Sequence, residues 1–64
     1  SQAASSWQGK SMREIIKDTE CEILRAALRR NKGNRMKTAR DLDMSRRALQ
    51  YKIEEYNLAA EGEE

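Results

Sequence analysis

Four cations stand where an isolated helix disfavours them. Arg35 and Lys37 follow the cap-type residue Asn34, and Arg46 and Arg47 follow Ser45, so all four fall in the first turns of two short helical segments. The helix macrodipole is positive at that end, and each cation placed there costs about 0.3–1 kcal/mol. A phosphate or a guanine partner reverses the sign. Helix N-termini point free amides at phosphate, and a guanidinium presents two parallel donors to the O6 and N7 acceptors of guanine. The chemistry these residues offer is therefore non-covalent recognition of a polyanion. Covalent and metal chemistry lack their usual residues: there is no histidine, and Cys21 is the single cysteine, which leaves neither an internal disulfide nor a common zinc-ligand set. The chain is expected to be no enzyme, to carry no cofactor or metal, and to have no room for a pocket of the roughly 300–1,000 Å³ that small-molecule sites use.

The charge is arranged in blocks. The net charge of the 64 residues is only +2, but residues 29–53 hold nine cations (Arg29, Arg30, Lys32, Arg35, Lys37, Arg40, Arg46, Arg47 and Lys52) against Asp41 and Asp43, which gives +7. Residues 1–28 balance four cations with four acids, and the last eleven residues carry five glutamates and no cation. A basic block of this kind is the electrostatic footprint of a nucleic-acid binder, and also what a solvated helix face looks like.

The elements that must position these cations are short. Residues 1–10, "SQAASSWQGK", are small and aperiodic and read as a linker or cloning remnant, in which Trp7 has no assigned role. Residues 11–58 form the domain. Ser11 and Glu14 match the S-x-x-E capping box and open a first helix that ends near Arg30. Along it, Met12, Ile15, Ile16, Thr19, Ile23, Ala26 and Ala27 fall on one stripe, expected to cover the core. A second strip with Cys21, Leu24 and Leu28 is left over; together with Ile16 it is expected to pair with a second copy of the chain, the alternative being that the strip merely widens the core-facing surface. A domain this small buries only about 60% of its unfolded surface and benefits from such a partner. Asn31–Asn34 makes a turn in which Gly33 can take positive φ. Asn34 caps a second helix running to about Leu42, in which Ala39 is small enough for close approach. Ser45 caps a third, with Leu49, Ile53 and Tyr56 on one face. Asn57 and Leu58 form its stop, Leu58 packing back on Ile53, and residues 59–64 read as a frayed acidic tail. No apolar run approaches the roughly 18 residues of a membrane span, and no signal-peptide core is present, so the chain reads as cytoplasmic.

Two short helices joined by three or four residues describe a helix-turn-helix within a small all-α domain of three to four helices. The stretch "LRRNKGNRMKTARDLDMSRRALQYKIEEYNL", residues 28–58, closely resembles the Fis-type helix-turn-helix, through the Gly33-Asn34 turn, Ala39 with Leu42, and Ser45-Arg46-Arg47 followed by Leu49, Lys52 and Ile53. Its wording "SRRALQYKI" and "EEYNL" is most similar to the C-terminal domain of NtrC-type activators, which work with sigma-54 RNA polymerase. That resemblance implies an excised part of a response regulator, with receiver or sensor and ATPase domains elsewhere, and the absence of a P-loop agrees. It also implies a homodimer paired through the helix preceding the motif. Asp43 and Asn57 stand where the family usually has glycine, and both residues tolerate left-handed backbone.

In a helix-turn-helix the third helix enters the major groove while the second crosses the backbone. Arg46 is the expected guanine reader, with Arg47, with Gln50 placed to pair with adenine, and with Tyr51 placed for a thymine methyl or a phosphate. Asn34, Arg35, Lys37, Ser45 and Lys52 are the expected phosphate contacts, which fix register without reading sequence. Two recognition helices in a dimer would sit about 34 Å apart on a near-palindromic duplex. Two other functions fit the residues: a Fis-like architectural protein that bends DNA, and a helical module that docks an acidic protein.

Overall fold

Ser11, Asn34 and Ser45 all adopt extended backbone immediately before a helix, and each side chain accepts an amide hydrogen from the residue three positions on, at 3.2, 3.0 and 3.1 Å. In the computed structural model, which describes residues 8–62, these caps open α1 (Met12–Arg30), α2 (Arg35–Asp41) and α3 (Arg46–Glu55). The Glu14 side chain closes the capping box on the Ser11 amide. The described residues contain three helices and no strand. None of these helices is long and apolar enough to cross a membrane. Trp7 and most of the expected linker lie outside the described residues, as do the last two glutamates.

All three helices end in the same way. Lys32, Asp43 and Asn57 take φ of 53°, 53° and 59°. The next amide then returns to a carbonyl five residues back, Gly33 to Leu28 at 2.8 Å, Met44 to Ala39 at 2.9 Å and Leu58 to Ile53 at 2.8 Å. This is the Schellman pattern, and its apolar clasp is present where Leu58 joins Ile53 in the core. Gly33 has the positive φ expected of it (80°), and the left-handed Lys32 beside it was not anticipated.

The core is Leu24, Leu28, Ala39, Leu49, Ile53 and Leu58, with Leu42, Met44 and Tyr56 packed against it. Buried Thr38 donates to the Asn34 carbonyl at 2.7 Å, and Ala39 beside it is small enough to let the helices close on each other.

The face of α1 that supplies this core shares only Ala27 with the buried set expected of it. Leu24, Ala27 and Leu28 are 4%, 1% and 1% exposed, whereas Ile16 and Ile23 are each half exposed and Met12 is 77% exposed. Leu24 and Leu28, expected at a contact with a second chain, are thus committed inside the protomer. The reason is length. α1 runs about 28 Å at 1.5 Å per residue, while α2 and α3 have only 7 and 10 residues and bury only the C-terminal turns of α1, with Lys52 and Tyr56 reaching back to Glu20 at its middle. Within those turns the inward set is Leu24, Ala27, Leu28 and Asn31, at helical spacings of three, four and seven. Counting the stripe from Met12 weighted a part of α1 that no other helix covers.

The expected frayed tail is also corrected. Glu61 reaches Arg29 at 3.0 Å and Arg25 at 3.7 Å. Gly62 (φ 83°) lies so close to the end of α1 that a Cβ there would come within 2.5 Å of the Leu28 carbonyl oxygen and the Gly33 nitrogen. The chain therefore folds back over the α1–α2 turn as far as Gly62.

Candidate nucleic-acid interface

Leu49 and Ile53 of α3 turn inward, and Arg46, Gln50, Glu54, Arg47 and Tyr51 follow them around the axis over about 140° at 100° per residue, from Arg46 at the edge of the buried side to Tyr51 opposite it. With Arg35 from the start of α2, these residues line an open groove of about 780 Å³. The expectation that so small a chain would have no concavity of this size is therefore wrong. The four expected base readers meet in one place, and Tyr51 is 68% exposed there.

The expected phosphate contacts divide. Asn34, Arg35, Lys37 and Ser45 sit at the N-terminal ends of α2 and α3. Both cap side chains keep a donor after capping. The Asn34 oxygen accepts from the Lys37 amide, which leaves its NH₂ free, and the Ser45 oxygen accepts from the Ala48 amide, which leaves its hydroxyl hydrogen free. Lys52 goes elsewhere. It points to the α1 side, where its Nζ donates to Glu20 at 2.7 Å and stands 5.7 Å from the Tyr56 ring centre. The Tyr56 hydroxyl donates to the same Glu20 oxygen. The Lys52 and Tyr56 donors hold the Glu20 carboxyl below its ordinary range, and the same contact raises both Lys52 and Tyr56. Lys52 ties α3 to α1 and lies well away from the groove, because it falls on the far side of α3 from Gln50.

Pairing among the cations follows the same division. Arg25 and Arg29 pair with Glu61, Arg30 stands 3.8 Å from Asp41, and Lys52 pairs with Glu20. Arg35, Lys37, Arg46 and Arg47 have no carboxylate within 4 Å among the described residues. Arg13, Lys17, Lys32 and Arg40 are likewise without one, so half of these eight unpaired cations stand in the first turns of α2 and α3.

Three residues that the sequence reading passed over belong to this architecture. Glu54, counted only among the glutamates of the last eleven residues, lies four residues after Gln50 on the same face, the helical spacing at which side chains meet. Asn31, read only as a turn former, is buried, and its amide donates to the Ala27 carbonyl and to Asp41 at 3.0 Å each. Glu20 gave no local signal, because both of its partners are more than thirty residues away. Across the groove, Arg35 donates to the Gln50 carbonyl oxygen at 2.9 Å, and the Gln50 amide donates to Glu54 at 2.9 Å.

Residues 15–56 match the family described as "Bacterial regulatory protein, Fis family". Over 49 residues the chain is 43% identical to "Regulatory protein AtoC" of Escherichia coli (strain K12), an alignment covering 77% of this chain and 11% of that protein. The chain therefore spans about a tenth of the length of this curated relative. No solved structure matches it. The family match takes in most of α1 and all of α2 and α3, and so contains the groove and every core residue except Leu58. This chain belongs to the Fis family of bacterial regulatory proteins.

Proposed function

We propose that this domain binds double-stranded DNA sequence-specifically as a homodimer, and that it is the enhancer-recognition module of a sigma-54-dependent activator. DNA binding in transcription regulation, the coarse part of that statement, follows from membership of the family. The finer part rests on one observation above all: Arg35, Arg46 and Arg47, three cations without a carboxylate within 4 Å among the described residues, line one groove together with Gln50 and Tyr51 of α3. Arg46 and Arg47 take guanine edges, Gln50 an adenine edge, and Tyr51 a thymine methyl or a phosphate. Asn34, Arg35, Lys37 and Ser45 hold phosphates and fix the register.

The assignment to an NtrC-type activator is supported by the "SRRALQYKI" and "EEYNL" wording and by likeness to a much longer regulatory protein. Homodimerisation is supported by the open side of α1. Met12, Ile16, Thr19, Ile23 and Ala26 recur at alternating steps of four and three, the repeat of a two-helix seam, and Met12, Ile16 and Ile23 are exposed on it. Cys21 is half buried, so the seam is carried by the exposed Met12, Ile16 and Ile23.

Selection of duplexes from a random pool at near-physiological salt, beside Arg46→Ala, tests the proposal. A two-fold site with half-sites one turn apart, losing a preferred guanine in the variant, is the expected result. Binding without any motif would favour architectural bending, and self-association without DNA binding would favour a protein-docking module.

A further inference from the structure

The two hydrogen bonds on Gln50 do more than fix its position. A guanidinium can only donate and a carboxylate can only accept, so Arg35 and Glu54 define which end of the Gln50 amide is oxygen and which is nitrogen. Turning the amide over would set its NH₂ against Arg35 and its oxygen against Glu54. The side chain is held in one orientation, with one lone pair and one N–H left to offer the groove.

Those two remaining groups match one base edge. Adenine presents an N7 acceptor and an N6 donor in the major groove, which take the free N–H and the free lone pair together. Guanine presents two acceptors, N7 and O6. An unrestrained glutamine could meet guanine by giving both hydrogens of its NH₂, but here one of them is held by Glu54. The Glu54 carboxylate also lies on the lining of the groove, where its charge opposes base acceptors and phosphates alike.

We propose that Glu54 is a specificity-determining residue that acts through Gln50, restricting it to adenine by occupying the hydrogen that guanine would need. This rests on the reading of the groove as a base-reading surface. Glu54 weakens DNA binding in general and sharpens it at one base pair. Arg35 completes the arrangement from α2: one of its donors is held by Gln50 while the others remain for a phosphate, so the orientation of the reader is tied to the helix that holds the backbone.

The test compares the parent chain with Glu54→Ala, Gln50→Ala and the double variant, each titrated against the parent's selected duplex and against duplexes changed at every base pair in turn. Glu54→Ala, which removes both the charge and the acceptor, should bind random duplex more tightly than the parent and lose roughly tenfold in adenine-over-guanine preference at a single pair per half-site. Gln50→Ala should lose preference at that same pair, and adding Glu54→Ala to it should change that ratio no further. An unchanged ratio in Glu54→Ala, or an equal change with and without Gln50, overturns the proposal. A parent chain with no base preference anywhere would instead remove the base-reading function, and the role of Glu54 with it.

Discussion

At the scale of single residues, the domain tolerates backbone conformations that its side chains do not favour. Lys32, Asp43 and Asn57 all sit in the left-handed region. For most side chains that conformation costs roughly 1–2 kcal/mol, and for asparagine and aspartate less, because their short polar groups bond locally. Lys32→Gly should therefore raise the stability measured by chemical denaturation by about 0.5–1 kcal/mol, with Asn57→Gly gaining less. An equal or larger gain at Asn57 would contradict the argument. A second residue-scale prediction concerns Glu20. Its carboxyl is held low by Lys52 and Tyr56, so its contribution is present above the ordinary carboxylate range and is lost as pH falls through its folded value. Lys52 is held high by the same contact, so its contribution is full below the ordinary lysine value and is lost as pH rises through the folded one. Both side chains are about a third exposed, which limits the pair to about 0.2–1 kcal/mol. Glu20→Gln should be less stable than the parent by about that much at neutral pH, and thermal melts of the two should converge as pH falls through the lowered Glu20 value.

At the scale of elements, the helices were legible and their sides were not. Ser11, Asn34, Ser45 and Asn57 announce starts and stops through groups within a few residues, so the sequence carries them locally. Which side of α1 faces inward depends on how far α2 and α3 reach along it, and that is set by the lengths of other elements. Leu24 and Leu28 were therefore misread as a surface, and Ile16 and Ile23 were placed with residues meant for the core. The groove was legible where it follows from the face of one helix, as for Arg46, Arg47, Gln50 and Tyr51. It was not where a partner comes from another helix, as Lys52 shows by turning to Glu20. The tail was misread for the same reason, since its partners Arg25, Arg29 and Gly33 all lie thirty or so residues away. Gly62→Ala tests whether this return of the chain contributes to stability. The added Cβ would meet backbone atoms at 2.5 Å in a left-handed conformation, so the segment must lift away and release Glu61 from both arginines. Strain and a small ion-pair term together give a loss of roughly 1–3 kcal/mol. Glu61→Gln should cost less than half of that, and equal losses would place the stabilisation in the ion pairs and not in the close packing of the two glycines.

At the scale of the whole molecule, α1 does two jobs on two sides. Its last turns close the core of the protomer through Leu24, Ala27 and Leu28, and the side carrying Met12, Ile16 and Ile23 is left to solvent. The two sides make opposite predictions. Leu28→Ala removes a fully buried side chain and should cost about 2–5 kcal/mol, enough to unfold much of so small a domain whatever its state of association. Ile23→Glu places a charge on an open side and should leave helical circular dichroism intact in dilute solution, while sedimentation shows monomer where the parent shows dimer. If pairing stabilises the fold, the melting temperature of the parent should rise with protein concentration and that of Ile23→Glu should not. DNA binding gives an independent measure of the same seam. Each phosphate contact contributes about one to the slope of log affinity against log salt, so a dimer should lose about two when Lys37→Ala is introduced, one for each half-site. On the Ile23→Glu background the same substitution should cost about one. A loss of one in both backgrounds would mean that a single copy meets the duplex, and that the exposed isoleucines of α1 serve a partner other than a second chain of this kind.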